Sequence, residues 1–189
     1  MNGSVASEFA ISIHDLRRQP GEMMNINRRF PTPERIGIDI IAIEVNTEIS
    51  ISGKVESVST GVLASCQIDA IATGECVRCL DPLTLPIHAF VQELYYYSVP
   101  LDLEEDEDEP LLIVEERIDL LPPIRDAVIL DLPLTPHCSE ECLGLCPDCG
   151  EKVADNPEGH DHQSIDPRWA ALQNLENLEK RDGGSGPQG

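Results

Sequence analysis

One stretch constrains the fold of this chain more than any other. From Val62 onward, Val62, Ala64, Cys66, Ile68, Ala70 and Ala72 fall on one face, while Ser65, Gln67, Asp69 and Thr73 fall on the other. A period of two held over that length is the period of a strand, and one apolar face with one wet face is the signature of an antiparallel sheet. The same pattern stands on either side. Before the turn at Thr60-Gly61, Ile49, Ile51, Gly53 and Val55 alternate with Ser50, Ser52, Lys54 and Glu56. After it, the run from Leu85 to Tyr97 is rich in β-branched and aromatic residues. Successive strands joined by short turns predict an antiparallel β meander, closed as a small barrel or left as an open sheet.

The flanks read differently. Phe9 to Ile13 is a short strand-like alternation, and His14 to Arg18 is read as a helical turn ended by Pro20-Gly21. Asp102 to Glu109 holds seven acids in eight residues, the composition of a solvated linker. Residues 119–132 read as a helix with Pro122 and Pro123 in its first turn, where a missing amide costs little. Ile124, Val128 and Leu132 would face the core. A last helix is expected from Asp166 to about Arg181, with Trp169, Leu172, Leu175 and Leu178 as its apolar stripe, followed by a disordered tail. The whole reads as α+β, with a β-rich part (1–100), an acidic linker (101–110), a helix with a cysteine-rich metal-binding part (111–182) and a tail (183–189).

Charge narrows the function. The formal net charge is −22, from 13 basic and 35 acidic residues. A field of that sign keeps a protein soluble and opposes non-specific binding to nucleic acid, so a basic partner is favoured unless the cations cluster. Five of the 13 do gather within the first 35 residues: Arg17, Arg18, Arg28, Arg29 and Arg35. No run of 18 apolar residues is present to span a membrane, and no basic-then-apolar leader opens the sequence. A cytoplasmic protein is the expectation, and in that reducing compartment seven cysteines should be thiols or metal ligands.

Four of the cysteines, Cys138, Cys142, Cys146 and Cys149, are spaced C-x3-C-x3-C-x2-C. In CPDCG two sulfurs can point at one ion, and the following glycine permits the tight turn around them. Four thiolates would close a tetrahedral zinc shell and leave no position for a substrate water, which makes the role structural. His160 and His162 follow eleven and thirteen residues after Cys149, so a shell of Cys146, Cys149, His160 and His162 is the alternative. The pair Cys76 and Cys79 forms a further C-x-x-C, open to metal, redox or purely structural readings, although a long stretch separates it from CPDCG. Cys66, on the apolar face of its strand, reads as an ordinary buried thiol. The sequence carries no phosphate loop, nucleophile elbow or dinucleotide fingerprint, and an enzyme with a small-molecule substrate is disfavoured.

Several segments, taken in order, resemble the YceD family: DLRRQPG (15–21), GECVRCLDPL (74–83), the acidic linker, DLLPPIRDAVILDLPL (119–134), CSEECLGLCPDCG (138–150) and DPRWAALQNL (166–175). The resemblance covers nearly the whole chain. It implies a non-enzymatic role in the accumulation of large-subunit (23S) ribosomal RNA, in the first place through binding rRNA or its precursor. The net charge of −22 raises the alternative of an acidic chaperone or docking partner for a basic large-subunit ribosomal protein. In many relatives a Cys-x-Cys follows the CPxCG segment where this chain has His160-Asp161-His162. Localised positive charge is what phosphate contacts need, and Arg17, Arg18, Arg28, Arg29 and Arg78 are the residues expected to supply it.

Overall fold

The computed structural model describes residues 8–100 and 109–156. Most of the acidic run, His160, His162, the helix expected from Asp166 and the tail lie outside the described residues. The chain divides into two compact units, Met1–Cys142 and Leu143–Gly189.

The first unit is the antiparallel sheet expected from the alternation, and it is open. Its central strand is β6 (Gly61–Glu75), which pairs along its whole length with β7 (Pro82–Tyr96). The other edge of β6 pairs with β5 (Glu48–Ser57) and, further along, with the short β4 (Ile41–Ile43), itself in a hairpin with β3 (Ile36–Ile38). Beyond β5 lies β2 (Met23–Pro31), paired from Met23↔Glu56 to Pro31↔Glu48. A separate two-stranded sheet joins β1 (Ala10–Ser12) to β8 (Arg117–Asp119).

The burial pattern follows the alternation residue by residue. Val62, Ala64, Cys66, Ile68, Ala70 and Ala72 are buried on β6, as are Ile49, Ile51 and Val55 on β5 and Ile87, Ala89, Val91 and Tyr95 on β7. At Gly53 the sequence interrupts its apolar face for a steric reason. A Cβ there would stand 2.2 Å from the Ser65 carbonyl oxygen and 2.7 Å from the Cys66 Cα on the neighbouring strand.

Helix α1 (Leu121–Asp131) closes over this face, packing on β7 and β3 within the same unit. Pro122 and Pro123 sit in its first turn, and the Asp119 carboxylate accepts the Leu121 amide at 3.0 Å, satisfying one of the free N–H groups of that end. Ile124, Val128 and Leu132 are buried, as their four-residue spacing predicts. Each such side chain contributes about 1.5–3 kcal/mol by leaving water. Tyr95 joins the layers, donating its hydroxyl to the Asp119 carbonyl at 2.7 Å.

The described part of the second unit, residues 143–156, is a small hairpin. Leu145 bridges Lys152, the Val153 amide donates to the Gly144 carbonyl at 3.0 Å, and a 3-10 turn follows at Val153–Asp155.

Candidate metal centre

The β6–β7 connection is the sequence Cys76-Val77-Arg78-Cys79-Leu80-Asp81, and its main chain folds into a knuckle. The Leu80 amide donates back to the Cys76 carbonyl at 2.9 Å, and the Cys76 amide donates to the Asp81 carbonyl at 2.8 Å. Leu80 completes the turn in the left-handed region, at φ 60°. With the chain wound this way Cys76 and Cys79 are both buried and the Arg78 amide points at the Cys76 Sγ, 3.5 Å away.

The segment leaving α1 comes to the same place. The Val77 amide donates to the Pro136 carbonyl at 2.9 Å, and Arg78 donates through its guanidinium to the carbonyls of Cys142 (3.0 Å) and Glu140 (3.5 Å). These contacts seat Cys138 and Cys142 against the knuckle. The Cys76 and Cys142 sulfurs stand 3.8 Å apart, those of Cys79 and Cys138 stand 3.6 Å apart, and all four lie within 4.8 Å of one another. Sulfurs placed 2.3 Å from one ion at the corners of a tetrahedron stand about 3.8 Å apart. The four cysteines can hold a metal ion, and they would fill a tetrahedral shell with protein sulfur alone.

The electrostatics favour the thiolate at Cys76 and oppose it at Cys79 and Cys138. Burial pushes the Cys76 thiol up, but the amides of Cys79, Cys138 and Arg78 outweigh it and bring it down to about 6. At Cys79 the Asp81 amide pulls downward, while burial and the neighbouring Cys76 and Cys138 thiols hold it above the ordinary value. Cys138 is raised chiefly by its neighbour Cys142. Four thiols this close cannot all ionise cheaply without a cation among them.

The sequence reading grouped Cys138 and Cys142 with the CPDCG pair and left Cys76 and Cys79 as a second thiol pair. The structure brings Cys138 and Cys142 together with Cys76 and Cys79, across the long stretch that local spacing could not bridge. Cys146 and Cys149 are outside this group, in the second unit. They form a knuckle of the same build. The Gly150 amide donates to the Cys146 carbonyl at 2.9 Å, the Cys146 amide donates to the Glu151 carbonyl at 2.7 Å, and Gly150 takes φ 75°. The Cys149 amide holds the Cys146 thiol below its ordinary value. Cys66 is buried in the sheet core, which raises its thiol.

The candidate contact arginines are all exposed. Arg18 lies over the Tyr97 ring, 5.1 Å from its centroid, and 3.8 Å from Glu116; Arg29 pairs with Glu48 at 3.4 Å. Arg78 is engaged with loop carbonyls, as above. Arg17 and Arg28 make no ion pair among the described residues. Two histidine pairs were not evident from spacing: His14 with Glu116, and His88 with Asp69, each at 2.7 Å. Both join residues distant in sequence, and only strand register could have predicted the second.

Among the described residues, the chain is an open antiparallel sheet with one helix and a cluster of four cysteines that could hold a metal ion. The family model of the large ribosomal RNA subunit accumulation protein YceD matches residues 64–176, and the chain belongs to this family. An uncharacterized protein of Mycobacterium tuberculosis is 43% identical over 169 residues, spanning 89% of this chain and 81% of the relative. One from Mycobacterium leprae is 35% identical over 170 residues, 89% of this chain and 78% of its own length. The protein YlbN of Bacillus subtilis is 23% identical over 167 residues, 87% of this chain and 94% of its own. No solved structure matches the chain. Among the described residues, no helix is long and apolar enough to cross a membrane.

Proposed function

We propose that this protein acts in the cytoplasm as a non-enzymatic factor that promotes accumulation of 23S rRNA during large-subunit biogenesis, by engaging a basic ribosomal protein. Membership in a family named for large-subunit rRNA accumulation supports the role. The observation that carries the mode of action is the state of the arginines. In a chain of net charge −22, three of the five candidate arginines already face protein groups: Arg18 and Arg29 a carboxylate each, and Arg78 loop carbonyls. Complementary charge instead speeds encounter with a cationic protein and selects for it. Direct rRNA binding is the second reading, favoured by Arg17 and Arg28, which are exposed and make no ion pair among the described residues.

Zinc is the proposed ion of the centre formed by Cys76, Cys79, Cys138 and Cys142, as a buried all-thiolate shell suits it. The CPDCG knuckle offers two further thiolates, and His160 and His162 are the ligands that the sequence supplies to complete a second site.

Two parallel assays separate the readings. The purified chain is mixed with individual large-subunit ribosomal proteins, and separately filter-bound to 23S rRNA fragments across salt concentrations. Capture of basic ribosomal proteins with weak RNA retention is the expected result. Tight, salt-sensitive RNA retention that is lost with Arg17→Ala and Arg28→Ala would reverse the ranking.

A further inference from the structure

Strand β7 is an edge strand, since its only strand partner among the described residues is β6. In an antiparallel ladder each residue turns both its N–H and its C=O to one side, and the side alternates. Three contacts fix which residues of β7 turn outward. The Tyr96 amide donates to the Leu111 carbonyl at 2.8 Å, and the Tyr96 carbonyl accepts the Ile113 amide at 2.9 Å. At the other end the His88 amide points at the Asp131 carboxylate, 3.4 Å away. Stepping by two between them, Phe90, Gln92 and Leu94 present their main-chain donors and acceptors to the outer side. Both ends of this edge are closed by the protein itself, and among the described residues no strand pairs with its middle.

That middle borders a groove of about 510 Å³ between β7 and α1, lined by the continuous run His88 to Glu93 and by the facing side of the helix. The groove is apolar in two exposed places, Phe90 (63% exposed) and Leu130 (86%). Its charges are of one sign. Glu93, Asp126 and Asp131 line it, Glu93 and Asp126 recur with Glu109 in the adjoining hollow of about 430 Å³, and neither space is lined by lysine or arginine. An open strand edge normally invites pairing with another chain, and β-augmentation is the ordinary way such an edge is used.

We propose that the outer edge of β7 and the facing side of α1 form a docking groove for an extended, basic protein segment, which adds to the sheet as a further strand. Main-chain bonds to Phe90, Gln92 and Leu94 supply the register. Phe90 and Leu130 take apolar side chains of the incoming segment, and Asp126, Asp131 and Glu93 take its lysines or arginines. The like charge of phosphate excludes nucleic acid from the same place. The proposal rests on the reading that the protein acts through a basic protein partner, and it names the surface and the form of that partner.

The test uses the full chain and a fluorescent decapeptide of alternating lysine and valine, read by anisotropy. The same peptide N-methylated at alternate residues keeps its charge but cannot pair along one edge, so it should bind about tenfold more weakly. Changing Asp126→Asn and Asp131→Asn together should weaken the parent peptide about fivefold. Hydrogen exchange of the segment 88–95 should slow on peptide addition. Equal binding of parent and N-methylated peptides, unchanged binding on Asp126→Asn and Asp131→Asn, or unchanged exchange at 88–95 would each overturn the groove. Purified basic ribosomal proteins still captured in that event would leave the functional reading standing, whereas their failure to bind would sink that reading instead.

Discussion

Leu80 and Gly150 occupy the same position in two knuckles of the same build, yet only one of them is a glycine. The left-handed conformation costs a side-chain-bearing residue about 1–2 kcal/mol, and Leu80 bears that cost at φ 60°. Its side chain is 58% exposed and contributes little packing in return. Leu80→Gly is therefore expected to be neutral or to stabilise by up to about 1 kcal/mol in urea denaturation. A loss beyond that would show that the leucine side chain matters. His14 makes a different kind of prediction. Its hydrogen bond to Glu116 raises the imidazole and lowers the carboxyl. The raised histidine contributes stability that is fully present below the ordinary value of 6.5 and is lost as pH rises through its folded value. The lowered Glu116 contributes stability present above 4.5 and lost as pH falls through its folded value. The pair thus helps most between these two values, and its exposure makes the effect small and salt-sensitive. The difference in thermal midpoint between the protein and His14→Gln should be largest between pH 4.5 and 6.5 and should shrink as pH rises through the raised value of His14.

The elements differ in how legibly the sequence announces them. β7 could be read only from its β-branched and aromatic composition, but the apolar faces of β5 and β6 could be read directly, because burying one face of a strand forces a period of two. The helix could be read from Ile124, Val128 and Leu132 for the same reason. β2 could not. It pairs along its whole length with β5 but buries only Ile26 in its nine residues, so its backbone is ordered by hydrogen bonds that leave little trace in side-chain pattern. Packing predictions follow at this scale. Ile124→Ala removes a fully buried side chain from the helix–sheet contact and should cost about 2–5 kcal/mol in chemical denaturation. Gly53→Ala forces a Cβ against the β6 backbone and should cost about 1–3 kcal/mol. A neutral result for Gly53→Ala would mean that β5 and β6 can separate locally more easily than their pairing implies.

Across the whole molecule, the thiol cluster ties the β6–β7 turn to the segment that leaves α1, so it links the sheet to the exit of its covering helix. The sequence pointed to cysteines that could hold a metal ion, and it revealed each C-x-x-C or C-x3-C pair. It could not reveal which pairs meet, because that depends on where α1 lays its C-terminal segment against the β6–β7 turn, a tertiary fact with no local signal. The sheet has a core of its own, so a metal held by the cluster would add to stability instead of creating the fold. Chelation should lower the thermal midpoint while the β-sheet circular dichroism at 25 °C persists. Loss of that signal on chelation would assign the metal a larger part than the core suggests.

The identity of the four ligands is the point on which this account most depends, and cobalt(II) substitution tests it directly. In a variant with Cys146→Ser and Cys149→Ser, the protein should still bind one cobalt ion with the intense sulfur-to-metal charge-transfer bands of an all-thiolate tetrahedral site. Adding Cys76→Ser and Cys79→Ser should abolish those bands. Bands that disappear on changing Cys146 and Cys149, or survive the loss of Cys76 and Cys79, would contradict the shell of Cys76, Cys79, Cys138 and Cys142.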